Sequence, residues 1–471
     1  CMAKDSRIVY KMLDSNDGIS ENTNRALEMA TGEFIALMDH DDVITPDALY
    51  HLVKAVNEDA MADSVYSDED KMDMDGRKLF EPHFKPDFNI DYLRSCNYIC
   101  HMFMTRTSIA REVGGFRKPF DGAQDFDFIF RCTEKSRHVA HVPRVIYHWR
   151  CHVNSTAAVP ESKMYAYHAG VKSINEHCQR AGIPMTGELG TSYGYYRDVP
   201  VLDRKPSVDI IIHGDAAKAE QCIQCTKKLT YSNLSVMMCG GDAASVNRAV
   251  ASAAADYVLL LDSRITSLSE DLVEQLMGYV QRKDVAMAAA RTSNLEDKIY
   301  HAFLVMGIDK SFGYAFHQLD KGNNGYFMRI NAPQDVSGVD ITCTLIRRAD
   351  YMAAGQLDES MPAEYAAADL CLKVAQLNDE GSRDSRADEE EDAKTPQMWR
   401  DMHKIVYVPY AEAVINASVE PEWHIDEEDE KFNKKWSSVL RQTDRYYNRN
   451  LTKRDTNFTI LSSMELKNED L

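Results

Sequence analysis

The sequence predicts an α/β protein with two tandem domains, each a Rossmann-like, mostly parallel sheet covered by helices. The first observation behind this prediction is the alternation of strand and helix patterns along the chain. A helix is predicted over 22–29, a strand over 33–38 and a second helix over 45–56, with Pro46 in its first turn. The second observation is that this order of elements starts again after residue 206.

The internal repeat is carried by short segments that match between the two halves of the chain. Four pairs of segments match in order: 24–27 with 247–250, 33–39 with 256–262, 127–131 with 369–373, and 141–143 with 406–409. In the second copy a buried strand begins at Val208, 54 positions before Asp262 (262 minus 208), but only 38 residues precede Asp39 in the first copy. We therefore expect the first copy to lack its opening strand and helix, or to have that edge covered by something else. Cys1 in place of an initiator methionine favours a fragment.

The predicted organisation has four parts. They are domain 1 over 1–160, a helical and irregular connector over 161–206, domain 2 over 207–420, and a helical tail over 421–471. Within domain 1, residues 64–88 are predicted to be irregular, with a hairpin turn at 73–76. The connector is predicted to begin with a helix over 162–182.

Composition excludes several classes of protein. A formal charge of -20 disfavours nonspecific binding to nucleic acid or to anionic lipid. No apolar run approaches the roughly 20 residues of a membrane span, and eleven scattered cysteines indicate reduced thiols. The closest cysteine pair, Cys222 and Cys225, has no second pair to complete a zinc site. We expect a cytoplasmic protein, with peripheral association at the inner face of the plasma membrane.

The most informative segment is Asp39-His40-Asp41-Asp42, which follows the apolar run 34–38. A buried strand that ends at several carboxylates places negative oxygens at the carboxyl edge of a sheet, where α/β proteins bind ligands. Hard divalent cations such as Mg²⁺ or Mn²⁺ prefer oxygen ligands and are often bound together with phosphates. Two interpretations stay open at this point: a metal–diphosphate site and a solvated acidic turn.

An ordered series of short motifs extends over nearly the whole chain. The motifs are 16–20 with Asn24, 32–33, 39–42, 66–70, 84–87, 97–99, 114–116, 122–127, 147–150 with His152, 155–156, and 444–448 with 450–452. Together they resemble family 2 glycosyltransferases with the GT-A fold, specifically the tandem-domain bacterial members that build cell-surface polysaccharides. The resemblance implies inverting transfer from a UDP- or dTDP-sugar to a hydroxyl of a glycan or lipid-linked acceptor.

The resemblance also implies roles for individual residues around the acidic segment. Asp39, Asp41 and Asp42 match the family's Asp-x-Asp region, so they are expected to bind the diphosphate through Mg²⁺ or Mn²⁺. Asp41 is the expected direct metal ligand, and Asp39 is expected nearer the ribose. Arg150 and His152 are expected to reach the diphosphate and the metal, with a solvated turn as the open alternative.

Asp125 matches the family's catalytic base, with Gln124 in place of the usual Glu. Single-displacement inversion needs one carboxylate that takes the acceptor proton. A helix cap is the open alternative for Asp125, and Asp127 is expected to cap the following helix. Gly115, Phe116, Gln124 and Trp149 are expected to contact the acceptor, although core packing is the alternative for the two aromatic rings. His101 is predicted to be a core histidine.

The second copy differs from the first at the positions of the expected metal ligand and the expected base. Arg264 occupies the position of the metal ligand, and Ala367 occupies that of the base. A guanidinium beside Asp262 repels a divalent cation and can pair with the carboxylate instead. Domain 2 is therefore predicted to be inactive as a metal-dependent transferase. The rival reading of the whole chain is a non-catalytic glycan-binding or scaffold protein.

Overall fold

The computed structural model describes residues 5–151, 164–381, 403–418 and 424–462. The described chain forms two compact units. The first contains residues up to 88 together with 96–197, and the second contains 89–95 and the described chain after 197.

The first unit is built on a mixed sheet with helices packed against it. Its sheet strands are β1 (Phe34–Leu37), β2 (Val43–Ile44), β3 (Ala62–Met72), β4 (Leu79–His83), β5 (Phe103–Arg106) and β6 (His138–Arg150). Its helices are α1 (Ile19–Met29), α2 (Ala48–Glu58), α4 (Thr107–Glu112), α5 (Gln124–Thr133) and α6 (Met164–Ala181), while α3 (Ile90–Ser95) belongs to the second unit. A hairpin of β7 (Met185–Leu189) and β8 (Tyr196–Pro200) follows α6. The predicted strand at 33–38 and the three predicted helices are therefore present, with ends shifted by a few residues.

The strands of the first sheet lie in the order β1-β5-β3-β6-β2, with β4 on the free part of β3. The α/β class is confirmed, but the expectation of mostly parallel pairing is wrong for this sheet. Only β3 and β6 pair in parallel, while the β1–β5, β3–β5, β2–β6 and β3–β4 pairs are antiparallel. The crossover from β3 to β6 includes α4 and α5, as a parallel pair requires a long connection.

The long strand β3 is buried along nearly its whole length. The prediction that residues 64–88 are irregular is therefore wrong, since most of this stretch forms β3 and β4. The segment looked irregular because β3 carries four carboxylates, and each of them is paired in the structure: Asp63 with Arg106 and Arg137, Asp68 with His141, Glu69 with Lys85, and Asp70 with His148. The predicted hairpin turn is confirmed, with the Gly76 N–H donating to Asp73 O at 3.0 Å.

The second unit is built on a larger mixed sheet. The strands of the second unit, within this sheet and outside it, are β9 (Val208–His213), β10 (Leu234–Cys239), β11 (Tyr257–Asp262), β12 (Ile265–Leu268), β13 (Val285–Asn294), β14 (Ile299–His301), β15 (Leu304–Met306), β16 (Phe312–Tyr314), β17 (Gln334–Asp335), β18 (Cys343–Arg347) and β19 (Lys404–Ile415). Its further helices are α7 (Ala219–Thr226), α8 (Ala243–Ser252), α9 (Leu272–Val280), α10 (Arg348–Ala353), α11 (Ala363–Gly381), α12 (Asp426–Lys435) and α13 (Ser437–Leu440).

The two sheets share a strand order. The second runs β10-β9-β11-β18-β13-β19-β12, so its last five strands follow the order of the first sheet. The pairings agree as well, because β11–β18 and β13–β18 are antiparallel and β13–β19 is parallel, as in β1–β5, β3–β5 and β3–β6. The parallel strands β9 and β10 extend the second sheet beyond β11. Among the described residues of the first unit, no strand pairs with the corresponding edge of β1.

No helix in the described part of the chain combines the length and apolar character that crossing a membrane requires. Cys222 and Cys225 lie on α7 as buried free thiols. Burial raises the pKa of Cys222 to about 12, so this thiol stays protonated.

Candidate active site

The acidic segment follows β1 at the carboxyl edge of the first sheet, where its last aspartate is anchored firmly. Asp42 is buried, and its Oδ1 accepts the N–H of Arg150 at 2.8 Å. The hydroxyl of Tyr147 donates to the other carboxylate oxygen of Asp42 and accepts the N–H of Asp39 at 3.2 Å. The end of β6 therefore fixes both ends of the Asp39–Asp42 loop.

His101 lies just before β5 and points at the same loop. Its Nε2 is 3.8 Å from Asp39 Oδ2, and its Nδ1 is 3.4 Å from Glu69 Oε2. The ring stacks on Tyr147 at 4.9 Å between centroids and lies 6.0 Å from Trp149. Burial works against the charged imidazolium, but Glu69, together with Asp125 and Asp39, raises the pKa of His101 above its ordinary value.

Asp39, Asp42 and His101 form the group of metal-ligand side chains in the described residues. One ligand atom from each lies within 4.8 Å of the others. The two carboxylate oxygens are suitable ligands for Mn²⁺ or Mg²⁺. The imidazole nitrogen is a suitable ligand for Mn²⁺. The sequence interpretation of His101 as a core histidine did not place it in this group, because the pattern around it does not reveal that it faces Asp39.

Asp41, the ligand expected from the sequence, lies beside this group with its side chain half exposed. Its carbonyl oxygen accepts a hydrogen bond from Arg150 Nε at 2.7 Å. The expected ligand His152 lies outside the described residues. The pKa of Asp39 is raised by partial burial and by Asp42, Asp125 and Asp41, against the attraction of His101. This crowding of like charges is what a bound cation would relieve.

Asp125, the expected base, lies in the first turn of α5 and is half-buried. Its Oδ2 accepts a hydrogen bond from Asn97 Nδ2 at 3.1 Å. The residue that precedes α5 as its cap is Ala123, and Asp125 makes no capping hydrogen bond. The expectation that Asp127 caps this helix is wrong, because its buried carboxylate pairs with Arg117 and Arg131 instead.

One groove brings the acidic loop and the expected base together. It has a volume of about 350 Å³, and its polar wall contains Asp39, Cys100, His101, Gln124 and Asp125. The opposite wall is apolar and consists of side chains from α1 and β1, with Phe116 at one end. The groove is therefore wide enough for a small ligand and carries two carboxylates on its polar wall.

The remaining expected site residues have structural contacts of their own. Phe116 is buried and stacks on Phe128 at 4.3 Å, which favours core packing. Gln124 Oε1 accepts the N–H of Gly122 at 2.8 Å, and Gly115 has φ +67° with its carbonyl bound to Arg131. Trp149 packs against the core beside His101.

Arg150 is tied to backbone oxygens of the surrounding loops. Besides Asp41 O, its guanidinium donates to Met74 O at 2.8 Å. These bonds hold the loop after β3 next to the acidic segment. The expected contact of Arg150 with the diphosphate stays a prediction.

Sequence reasoning missed the buried ion pair that supports His101. Lys85 is fully buried, and its Nζ lies 3.8 Å from Glu69 Oε1 and donates to His101 O at 2.5 Å. Burial opposes ionisation of Glu69, but Lys85 and His101 hold the pKa of this carboxyl well below its usual range. The available signal was the acidic run 66–70 within a segment that also reads as a strand.

The corresponding region of the second unit carries different side chains at the positions of Asp41 and Asp125. Arg264 donates to both oxygens of Asp262, at 3.0 Å from Nε and 2.7 Å from Nη2. Burial opposes the charge on Asp262, yet the hydrogen bonds from Arg264 hold its pKa below the ordinary value. Ala367, at the position of Asp125, is buried on α11. The predicted pairing of the guanidinium with the carboxylate is present.

The fold and the groove define the first unit as an α/β domain with a carboxylate-rich ligand site at the edge of its sheet. The sequence model for glycosyl transferase family 2 matches residues 1–114, which include the acidic segment. Residues 1–114 are therefore similar to glycosyl transferase family 2.

Two curated relatives cover most of this chain. It is 32% identical over 414 residues to the uncharacterized protein y4gI of Sinorhizobium fredii, covering 79% of this chain and 45% of that protein. It is 24% identical over 413 residues to the O-antigen biosynthesis protein RfbC of Myxococcus xanthus, covering 81% and 32%. The chain thus spans less than half the length of these relatives. Among solved structures, it is similar at 9% identity and a TM-score of 0.32 to the mannosyltransferase PcManGT of Pyrobaculum calidifontis, over 52% of this chain and 68% of that one.

Proposed function

We propose that the first unit transfers a sugar from a nucleotide-diphosphate donor to an acceptor hydroxyl with inversion at the anomeric carbon. The observation that carries this proposal is the groove that presents Asp39 and His101 together with Asp125. A donor diphosphate needs positive charge nearby, while the acceptor hydroxyl needs a carboxylate that takes its proton. The match of residues 1–114 to glycosyl transferase family 2 supports the same class of reaction.

Asp39, Asp41, Asp42 and His101 are the residues that would hold Mg²⁺ or Mn²⁺. The fit rests on the donor set, which offers carboxylate oxygens and one imidazole in a cluster of excess negative charge. Such an ion, when bound, offsets the charge of the departing nucleotide diphosphate. Tyr147 and Arg150 keep Asp42 in position through its two oxygens.

Asp125 is the proposed base. As the acceptor oxygen forms its bond to the anomeric carbon, its proton passes to the Asp125 carboxylate. The bond from that carbon to the phosphate oxygen breaks, and its electron pair leaves with the nucleotide diphosphate. Asn97 donates to Asp125 Oδ2, and the Cys100 side chain also hydrogen-bonds this carboxylate, so both groups orient it.

We further propose that the product is a bacterial cell-surface polysaccharide, that the donor is a UDP- or dTDP-sugar, and that the acceptor is a glycan or a lipid-linked glycan. The name of the Myxococcus relative, an O-antigen biosynthesis protein, supports a role in polysaccharide synthesis. A lipid-linked acceptor would bring the protein to the inner face of the plasma membrane.

Calorimetric titration of UDP and dTDP into this chain, with and without Mn²⁺, tests the donor site. We expect Mn²⁺-dependent binding that is lost in Asp41→Ala and in Asp42→Ala. The exposed Asp75→Ala, on the turn after β3, is the matched control and should bind as the unaltered chain does. Metal-dependent binding that survives loss of all three acidic-loop carboxylates would place the nucleotide elsewhere and overturn the proposal.

A non-catalytic glycan-binding or scaffold role is the second candidate. The observation in its favour is the edge of β1, with which no strand pairs among the described residues of the first unit. Glycan binding without any nucleotide binding in the titration, repeated with any residues encoded upstream included, would favour this role over transfer.

A further inference from the structure

A second cavity lies in the second unit, at the carboxyl edge of β9 and β11. It has a volume of about 270 Å³ and is lined by residues of these strand ends, of β14 and β16, and of the start of α11. This is the place in the sheet that corresponds to the acidic groove of the first unit, as the shared strand order shows. The carboxyl edge of a sheet is where α/β folds bind ligands.

The charges of this cavity disfavour a phosphate, and its side chains do not form a metal-ligand group. Four carboxylates and two fixed cations line it: Asp215, Asp262, Asp340 and Glu364, with Lys218 and Arg264. Arg264, the cation nearest the centre of the site, is already engaged by Asp262, so a nucleotide diphosphate would meet net negative charge. No group of three metal-ligand side chains lies here among the described residues.

Aromatic rings form one wall of the cavity. The rings of Tyr300 and His301 lie 4.2 Å apart, and the rings of His301 and Tyr314 lie 4.1 Å apart in a stack. Tyr314 is buried and His301 nearly so, while Tyr300 is partly exposed toward the cavity. An exposed ring face binds the apolar C–H face of a sugar by contact and exclusion of water.

Planar polar groups lie around this aromatic wall. Asp340 accepts hydrogen bonds from the N–H of Thr342 at 2.9 Å and from its hydroxyl at 3.1 Å, and it contacts the His301 ring. Arg264 Nε and Nη2 are paired with Asp262, which leaves the Nη1 group of Arg264 as a donor toward a ligand. Sugar hydroxyls, which both donate and accept, match such a mixed set of groups.

We propose that this cavity binds a neutral pyranose residue of a glycan without reacting with it. Ala367 lines the cavity where the first unit has Asp125, so the described residues place no base at that point. The second unit therefore acts as a carbohydrate-binding module. This inference goes beyond the proposed function and holds whether or not the first unit transfers sugar.

Saturation-transfer NMR with the full chain in EDTA tests the proposal. The probes are methyl glycosides of the common neutral hexoses, deoxyhexoses and N-acetylhexosamines. We expect transfer from at least one glycoside, weakened about tenfold by Tyr300→Ala and little changed by Tyr300→Phe, which keeps the ring. Glu364→Gln, an exposed change that leaves the fold intact, should weaken binding about threefold.

Asp125→Asn in the first unit separates the two binding sites. A signal that Tyr300→Ala removes and Asp125→Asn leaves unchanged belongs to the second unit. Failure of the donor titration above leaves this result untouched, so the two proposals fail separately. The absence of transfer from every glycoside, or a signal insensitive to both Tyr300→Ala and Glu364→Gln, overturns the inference.

Discussion

The two units share a strand order but differ in what they place at the corresponding sheet edge. In the first, partial burial and the neighbouring Asp42, Asp125 and Asp41 raise the pKa of Asp39. In the second, Asp262 is neutralised by Arg264. Because the strand order is common to both, the difference teaches that the chemistry of each site depends on a few residues that follow the strands rather than on the sheet.

The corresponding strands β1 and β11 differ in their surroundings. In β11 the side chains from Val258 to Leu261 are fully buried, since β9 covers one edge and β18 the other. In β1 the side chains are only half-buried, and the following Met38 is 48% exposed. The apolar wall of the first groove is thus the face that a strand such as β9 covers in the second unit.

The largest expected effect is on the transfer rate when the proposed base, Asp125, is changed. Asp125→Asn removes the proposed proton acceptor but keeps its size and the contact with Asn97, so transfer should fall about 10³-fold. Nucleotide affinity should stay within about threefold, because this carboxylate does not bind the diphosphate in the proposed arrangement. Transfer kinetics with a donor that binds in the calorimeter measure the first effect, and titration measures the second.

The matched change for this prediction is Ala367→Ser in the second unit, which lies at the equivalent position. It should leave the transfer rate unaltered. A rate for Asp125→Asn that equals that of the unaltered chain would assign Asp125 a purely structural role.

The next effect concerns the ion pair of Glu69 and Lys85 beneath His101. Glu69→Gln leaves Lys85 buried without its carboxylate, and we expect the free energy of unfolding to fall by about 3–5 kcal/mol. Urea denaturation followed by tryptophan fluorescence measures the loss. Glu81→Gln, which removes the exposed pair with Lys71, is the control and should cost less than about 1 kcal/mol. Equal losses in the two variants would contradict the buried pairing.

The stability of the first unit should depend on pH through His141. Burial opposes its charge, but Asp68 and Asp87 raise the pKa of this imidazole from 6.5 to about 9. Because the folded pKa is raised, the stabilisation is fully present below pH 6.5 and is lost as pH rises through 9. The shift corresponds to roughly 3 kcal/mol at most. Urea midpoints from pH 6 to 10 measure it.

His141→Gln should flatten this decline, because the titrating group is removed. His51→Gln, which removes an i,i+4 contact with Asp47 on α2, is the control and should keep the decline. A decline of equal slope in His141→Gln would show that another group causes it.

The smallest effects compare two asparagines that the repeat places at matching positions. The side chain of Asn24 donates one hydrogen bond to the backbone of Phe116 and accepts another from it, both at 2.8 Å. Asn247 makes the same two bonds with the backbone of Leu357, at 3.0 and 3.1 Å, and also accepts from Tyr351. Alanine at either position should cost about 1–3 kcal/mol, with the larger loss for the more buried Asn247. Thermal unfolding of both variants checks the order, and a larger loss for Asn24→Ala would reverse it.

Much of the fold follows from local patterns in the sequence. The apolar runs that became β1, β9 and β11 stop at charged residues, and the helices between them carry periodic apolar positions. Asn24 and Asn247 match in the sequence, and in the structure both residues make the same backbone contacts. In contrast, β3 was misread, since its carboxylates look solvated until the cations that pair with them are known.

The sequence by itself determined the α/β class, the acidic segment after β1, the resemblance to a family, and the presence of Arg264 at the position of Asp41. The tertiary structure alone decided that Asp42 is held by Tyr147 and that His101 faces Asp39. It also decided that the first sheet is mixed. The physical reason is range: apolar periodicity and turn chemistry act between near neighbours, whereas these contacts join residues 62 to 105 positions apart along the chain (101 minus 39 and 147 minus 42).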